Sequence, residues 1–464
     1  MKNIHISLLA KLGVLFSATP LPLVVVSCKT SNSNNNKPDN NKPDNNKPDN
    51  NKPDNNKPDN NQQKKEQVSK IDISNFKDKI EPKNEWQKQD VLQALLKIKG
   101  LDKLTENDFD FLVFKKANLL HNGRINIKSK DDSKIIKGEL SIEIKKLDKV
   151  KKVETKYNDN KTEVLVIGYD EKGKISRFAP TVKKVPEKLP EEIISLERAF
   201  LKNNSDKIEN LDKWNTSNIV SMSSMFQQAK EFNQVLSNWN TENVTNMNYM
   251  FDGATKFNSD LSNWKTGSVK TMRSMFSDTK LFNQDISSWN VSNVKNMKNM
   301  FYRAEKFNKS LSNWNLKNIE ELDYMFFGAS EFNSNIFKLK NNLVTDMRYM
   351  FYQAKKFNKP LDWDVSKVVN MDSMFNGAHD FNQNITNWNV SNVKTMRSMF
   401  SDTKLFNQDI KNWKVDNVTD MDRMFQNALS FNKDISKWNV KNVKSYNHFS
   451  IHIKREYKPL FGKK

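Results

Sequence analysis

The sequence predicts an α/β repeat solenoid, with one short helix and one short parallel strand per 25-residue coil, preceded by a disordered tether and a small α+β domain. Three observations carry this prediction. Tryptophan returns every 25 residues at Trp214, Trp239, Trp264, Trp289 and Trp314, then at Trp363, Trp388, Trp413 and Trp438 after a one-residue deletion. The unit Lys-Pro-Asp-Asn-Asn recurs five times between Lys37 and Asn61. Between these two arrays, short helical and alternating apolar patterns follow one another without a long run of either kind. The domains expected are 1–27, an export signal; 28–63, the tether; 64–189, the α+β domain; 190–450, the solenoid with its end caps; and 451–464, a basic tail.

Composition excludes several classes of function. The 464 residues include 11 Gly, and no G-x-G-x-x-G or G-x-x-x-x-G-K-[ST] loop occurs to cradle a phosphate. One Cys rules out a disulfide framework within the chain, and the five His never stand at metal-ligand spacing. No nucleophile–base or paired-carboxylate constellation emerges. Asp108, Asp110, Glu143 and Glu163 lie scattered among lysines, as on a solvated face. No catalytic residue, metal or cofactor is expected, and the chain is read as a non-enzyme. Lys and Arg total 76 against 55 Asp and Glu, a net charge of +21 spread along the chain with both signs mixed.

Residues 1–27 read as an address. Met1-Lys2-Asn3 is positive, and the apolar run from Ile4 to Val26 is broken by Lys11, Pro20 and Pro22. An export signal suits this better than a spanning helix. The run ends Val25-Val26-Ser27-Cys28, which resembles the lipobox of bacterial lipoproteins. That resemblance implies that Cys28 becomes the mature N-terminus and carries a diacylglycerol, whose two acyl chains anchor stably where one does not. It places the protein on the outer face of the cell membrane. The plainer alternative is an unmodified Cys after an ordinary signal. The pentapeptide array has no apolar residue and a Pro at every fifth position, so it stays extended and disordered as a spacer.

In 64–189, Asp90 precedes Val91-Leu92-Gln93-Ala94-Leu95-Leu96, and Gly100 ends the run, predicting a capped helix. Glu139–Ile144 and part of Glu163–Ile167 alternate as strands, and Asp170-Glu171-Lys172-Gly173 reads as a turn. Pro180, Pro186 and Pro190 predict a stiff link into the repeats.

Each repeat carries two methionine columns, Met222 to Met421 (with Leu322 in one slot) and Met225 to Met424. A Phe follows each member of the second column, from Phe226 to Phe425, and a Phe-Asn pair closes the motif, from Phe232-Asn233 to Phe431-Asn432. Met222, Met225, Phe226, Ala229 and Phe232 share one face of a short helix. Leu236-Ser237-Asn238-Trp239 suits a short strand. One unit cannot bury enough to fold alone, so neighbours stack. The recurring Asn is expected to bond the backbone of the adjacent coil, and the Met columns to fill the core rather than bind a soft metal. Val269–Ile286 recurs unchanged at Val393–Ile410, a duplication.

The unit, quoted as Ser292-Asn293-Val294-Lys295-Asn296-Met297-Lys298-Asn299-Met300-Phe301, resembles the BspA-like leucine-rich repeats of bacterial surface proteins. It is closer still to their 25-residue form in mycoplasma surface lipoproteins of unknown function. The resemblance covers roughly 190–450, with Leu339 replacing Trp and Thr279 and Thr403 replacing Ala. It implies surface exposure, adhesion and antigenicity, with a host or extracellular protein or glycan as partner. Contacts are expected at non-core positions flanking the proposed strands: Gln234, Asp260, Asp285, Lys309, Lys359, Gln383, Asp409 and Lys433. A solvated surface side chain is the plain alternative at each. Two rival functions remain open. One is binding of nucleic acid or acidic glycans, using the basic surface and the tail residues Lys454, Arg455, Lys458, Lys463 and Lys464. The other is a passive antigenic coat of variable repeat number.

Overall fold

A computed structural model describes residues 69–340 and 343–462. The expected signal, Cys28 and the pentapeptide tether lie outside the described residues, as do Lys463 and Lys464. Among the described residues no helix is long and apolar enough to cross a membrane.

Two hydrophobic cores divide the chain. The first holds Ile73, Val91, Leu95, Phe109, Ile125, Ile127, Leu140, Ile142 and Ile144. It is built on an antiparallel sheet of β2 (Phe109–Lys115), β3 (Gly123–Ser129) and β5 (Glu139–Ile144), in the order β2-β3-β5. Phe111 aligns with Ile127 and Leu140, and Val113 with Ile125 and Ile142, so alternate residues point into the core. A short parallel pair, β1 (Ile71–Asp72) with β4 (Ile136–Lys137), closes one side. Helix α1 (Lys88–Leu95) starts two residues before Asp90. Gln87 is its N-cap, and the Asp90 carboxylate accepts the Gln87 N–H at 2.7 Å.

The second core begins at Val164 and runs without a break to Ile453. The unit expected over 64–189 is therefore split. Its later part, with β6 (Lys156–Tyr157) paired to β7 (Val164–Val166), buries Ile167, Phe178, Val182, Val185 and Leu189 in the core of the repeats. The prolines at 180, 186 and 190, expected to form a stiff link between two units, flank residues packed in the core of the repeats.

Within the repeats the chain forms turns where a helix was expected. Met225, Gln227 and Ala229 donate backbone N–H to the carbonyls three residues earlier, at 3.0–3.2 Å. Met222, Ser224, Phe226 and Gln228 instead donate to Asn246, Asn248, Met250 and Asp252 of the next coil, at 2.6–2.9 Å. Ser224 and Gln228 have φ of 54° and 60°, and the same two slots are left-handed in the following coils. With a left-handed residue at every fourth position, every second N–H points to the neighbouring coil, which replaces the i→i+4 bonds of a helix. The expected strand Leu236–Trp239 is likewise a turn, closed by Trp239 N–H to Leu236 carbonyl. Parallel pairing falls one residue before each first-column Met, through Ser221, Asn246, Thr271, Asn296 and Glu321.

Inside, aromatic rings register from coil to coil. The rings after the second Met stack at 5.5–5.8 Å from Phe200 to Phe425. The Phe of the Phe-Asn pairs stack at 5.7–6.1 Å. Each buried indole needs an acceptor. Trp239, Trp264, Trp289 and Trp314 find one in the carbonyl 28 residues earlier, at 3.0–3.3 Å. Thr279 and Thr403, in Ala slots, turn their buried hydroxyls to the carbonyls of Phe251 and Phe375.

One junction departs from this order. Among the described residues the column of parallel bridges that links Asn296 to Glu321 skips one step before Asp346 and Asn370, although Tyr324, Phe326 and Gly328 still donate to Arg348, Met350 and Tyr352 of the next coil. Here Leu339 fills the Trp slot, and it exchanges backbone bonds with Asp362 and Asp364 around Trp363. Phe337 stacks on Trp363 at 5.6 Å and supplies the ring that Leu339 lacks. The next indole, Trp388, is buried with its N–H unpaired.

The basic tail also packs. Ile453 is buried, Tyr457 accepts the Ile435 N–H, and Phe461 stacks on Tyr446 at 4.3 Å. Lys458 donates to the Ser450 carbonyl at 2.7 Å. Residues 451–461 thus cover the last coil.

Candidate binding face of the repeats

The eight sequence candidates fall into two columns, and most are bound to backbone. Gln234, expected at the surface, is buried, and its side-chain oxygen accepts the Ile208 N–H at 2.8 Å. Gln383, half-buried, donates to the Asn358 carbonyl. Lys309, Lys359 and Lys433, in the same slot, are half-buried. The second column is exposed, but its carboxylates brace turns. Asp260 accepts from Ser262 N–H, Asp285 from Ser287 N–H and Asp409 from Lys411 N–H. The bonds from Ser287 hold the Asp285 carboxyl below its usual range. Lys411, bonded to Asp409 at 3.0 Å, does the same there. One of the scattered carboxylates near the first core behaves alike. Asp108 accepts from Thr105 and Ser133.

The Asn after each Phe forms a continuous ladder. From Asn233 to Asn407, each side-chain oxygen accepts the backbone N–H of its counterpart one coil on, at 2.8–3.3 Å. These side chains are scaffold, and they are half-buried or exposed rather than enclosed.

A different feature breaks the repeat pattern outward. The slot after the core Phe holds Gln227, Asp252 and Ser277 in early coils and Asn376, Ser401 and Gln426 in late ones. In three consecutive middle coils it holds Tyr302, Phe327 and Tyr352. Their half-buried rings stack at 4.6 and 4.5 Å, close to the spacing of paired strands. Beside them Tyr324 and Tyr349 stack at 4.8 Å, and Tyr324 lies 6.1 Å from Phe327. Five rings thus form a strip on the outside of the coils. Sequence reasoning passed over it because it followed the invariant columns. The signal was present as three aromatic residues, Tyr302, Phe327 and Tyr352, in a slot that is elsewhere small or polar.

Charges around the strip are satisfied locally. Lys298 stands 5.6 Å over the Tyr324 ring and pairs with the buried Asp323 at 2.6 Å. Arg348 pairs with Asp346. Burial and the neighbouring Tyr349 raise the Tyr324 hydroxyl above its ordinary value. Lysines elsewhere also pair across coils, as in Lys280–Glu305 and Lys295–Glu320. These pairs offset part of the net positive charge along the coils. Among the described residues no cluster of metal-ligating side chains occurs.

Comparison with known proteins adds two matches. A family described as Mycoplasma protein of unknown function, DUF285, matches residues 194–310, 286–362 and 361–456. A Spiralin domain matches residues 69–145, which contain the first core. The BspA-like resemblance is carried by neither. No curated protein and no solved structure matches. The two matches together support a mycoplasma surface protein of unknown function. The repeat matches span more than half of the chain, which belongs to the family of Mycoplasma proteins of unknown function, DUF285.

Proposed function

We propose that the protein is a lipid-anchored surface antigen whose repeats form a rigid solenoid and bind a partner protein outside the cell through the aromatic strip. The observation that carries this reading is the strip itself. Tyr302, Phe327 and Tyr352 occupy a slot that other coils fill with small or polar residues, and Tyr324 and Tyr349 one that, apart from Tyr249, other coils fill with Ser, Asn, Arg or His, so the repeat does not require them. Half-buried Tyr and Phe at the surface, beside paired Arg and Lys, are the composition of interaction hot spots. The ring faces are spent on one another, which leaves edges for a shaped protein surface more than faces for a sugar or base. The lipobox-like Val25–Cys28 run supports anchorage, and the tether supplies reach.

The test is binding of the full chain to host-cell surfaces, matrix proteins, heparin and DNA at low and moderate salt, beside the variant Y302S/F327S/Y352S. Salt-resistant binding to a protein ligand, lost in the folded variant, supports the reading. Binding only to heparin and DNA, vanishing with salt, moves the function to polyanions. Binding to nothing on the panel, with repeat number varying between isolates, favours the passive coat.

A further inference from the structure

Strand β2 reads Phe109-Asp110-Phe111-Leu112-Val113-Phe114-Lys115 and sits at the edge of its sheet. Such a near-continuous apolar run belongs to a strand covered on both faces and paired on both edges. Here it is covered on one face only. Leu112 is 59% exposed and Phe114 67%, while the inward Phe111 and Val113 remain half-exposed, since among the described residues no strand pairs beyond β2. The opposite edge strand, β5, is flanked by the 3-10 turn Ile73–Lys79, so the sheet's two edges differ. Of the devices that protect edges, β2 has a bulge between Val113 and Lys115 and terminal lysines, but no proline and no inward charge.

We propose that β2 pairs antiparallel with β2 of a second copy of this chain, joining two three-stranded sheets into one of six. The charges favour this occupant. Asp110 stands near the start of β2, and Lys115 and Lys116 at its end, all exposed. A two-fold antiparallel pairing sets the acid of each copy beside the bases of the other, with Leu112 and Phe114 meeting at the centre. Phe111 and Val113 are completed on the inner face at the same time. The contact is one seven-residue strand, small beside a standard stable interface, so the dimer is weak in solution and gains from confinement on a surface.

Sedimentation equilibrium of the full chain over a wide concentration range tests this. The expected result is a reversible monomer–dimer equilibrium that L112K/F114K abolishes while melting temperature and circular dichroism stay unchanged, since both side chains are exposed. D110K alone and K115D alone each weaken the dimer by about tenfold, and D110K/K115D restores it to within about threefold. A chain that stays monomeric at roughly 0.5 mM overturns the proposal. So does a dimer that L112K/F114K leaves intact, since its interface lies elsewhere. The readout does not involve the aromatic strip, so it stands or falls apart from the binding function.

Discussion

Replacing Phe301 by Ala tests whether the aromatic columns hold the repeats together. Phe301 is fully buried, and its ring meets those of the coils on either side, Phe276 at 5.8 Å and Phe326 at 5.5 Å. Within its own coil it meets Phe307 at 4.0 Å and Trp314 at 6.5 Å. Truncating such a side chain costs about 3–5 kcal/mol, from lost transfer energy and the cavity left behind. Near the end of the array, Phe449 meets a repeat ring on one side only, Phe425 at 5.5 Å, with Phe461 at 5.1 Å from the closing segment. F449A therefore costs roughly half as much, about 2 kcal/mol. Each coil draws its stability from its neighbours, so F301A weakens two junctions and F449A one. Urea unfolding followed by tryptophan fluorescence measures both. A loss from F301A below about 1 kcal/mol, or no greater than that from F449A, refutes the idea that coil-to-coil ring packing carries the fold.

Three further outcomes are expected. Gly377 has φ of 70°, and a Cβ there would clash with the side-chain amide of Gln353, so G377A destabilises by about 1–2 kcal/mol and Q353A recovers part of that loss in the double variant. Burial raises the Asp372 carboxyl above its ordinary value of 3.8, although the Thr395 hydroxyl and Arg397 N–H pull the other way. The resulting contribution to stability is full below the ordinary value and is lost as pH rises through the raised folded one, so D372N raises the melting temperature at neutral pH and not at low pH. Y302S/F327S/Y352S lowers the melting temperature modestly, because these rings stack from coil to coil across the step where one parallel bridge is absent between Glu321 and Asp346. Loss of hydrogen-exchange protection confined to coils near 322–350 would identify that bracing role, and uniform loss would deny it.

The repeat register, the identity of the buried columns and the Asn ladder were legible in the sequence. A period of 25 with fixed apolar slots forces the same residues inward whatever the backbone does. Local conformation was not legible, for the same reason. Met222, Met225, Phe226, Ala229 and Phe232 face the core equally well on a helix or on a chain of turns. The choice rests on where Ser224 and Gln228 send their N–H groups, and their partners lie one coil away, about 25 residues along the chain. The boundary at 189 was misplaced on similar grounds. Val164 to Leu189 lack the repeat motif, yet they bury the first face of the array because an open coil end exposes apolar columns that any adjoining chain covers. The candidate contacts followed the invariant motif and landed on residues occupied with backbone, such as Gln234 and Asp285. The sequence by itself determined which side chains leave water, since composition and period decide that. Only the tertiary structure decided which outward residues meet one another, because Tyr302, Phe327 and Tyr352 become neighbours only when the coils are stacked.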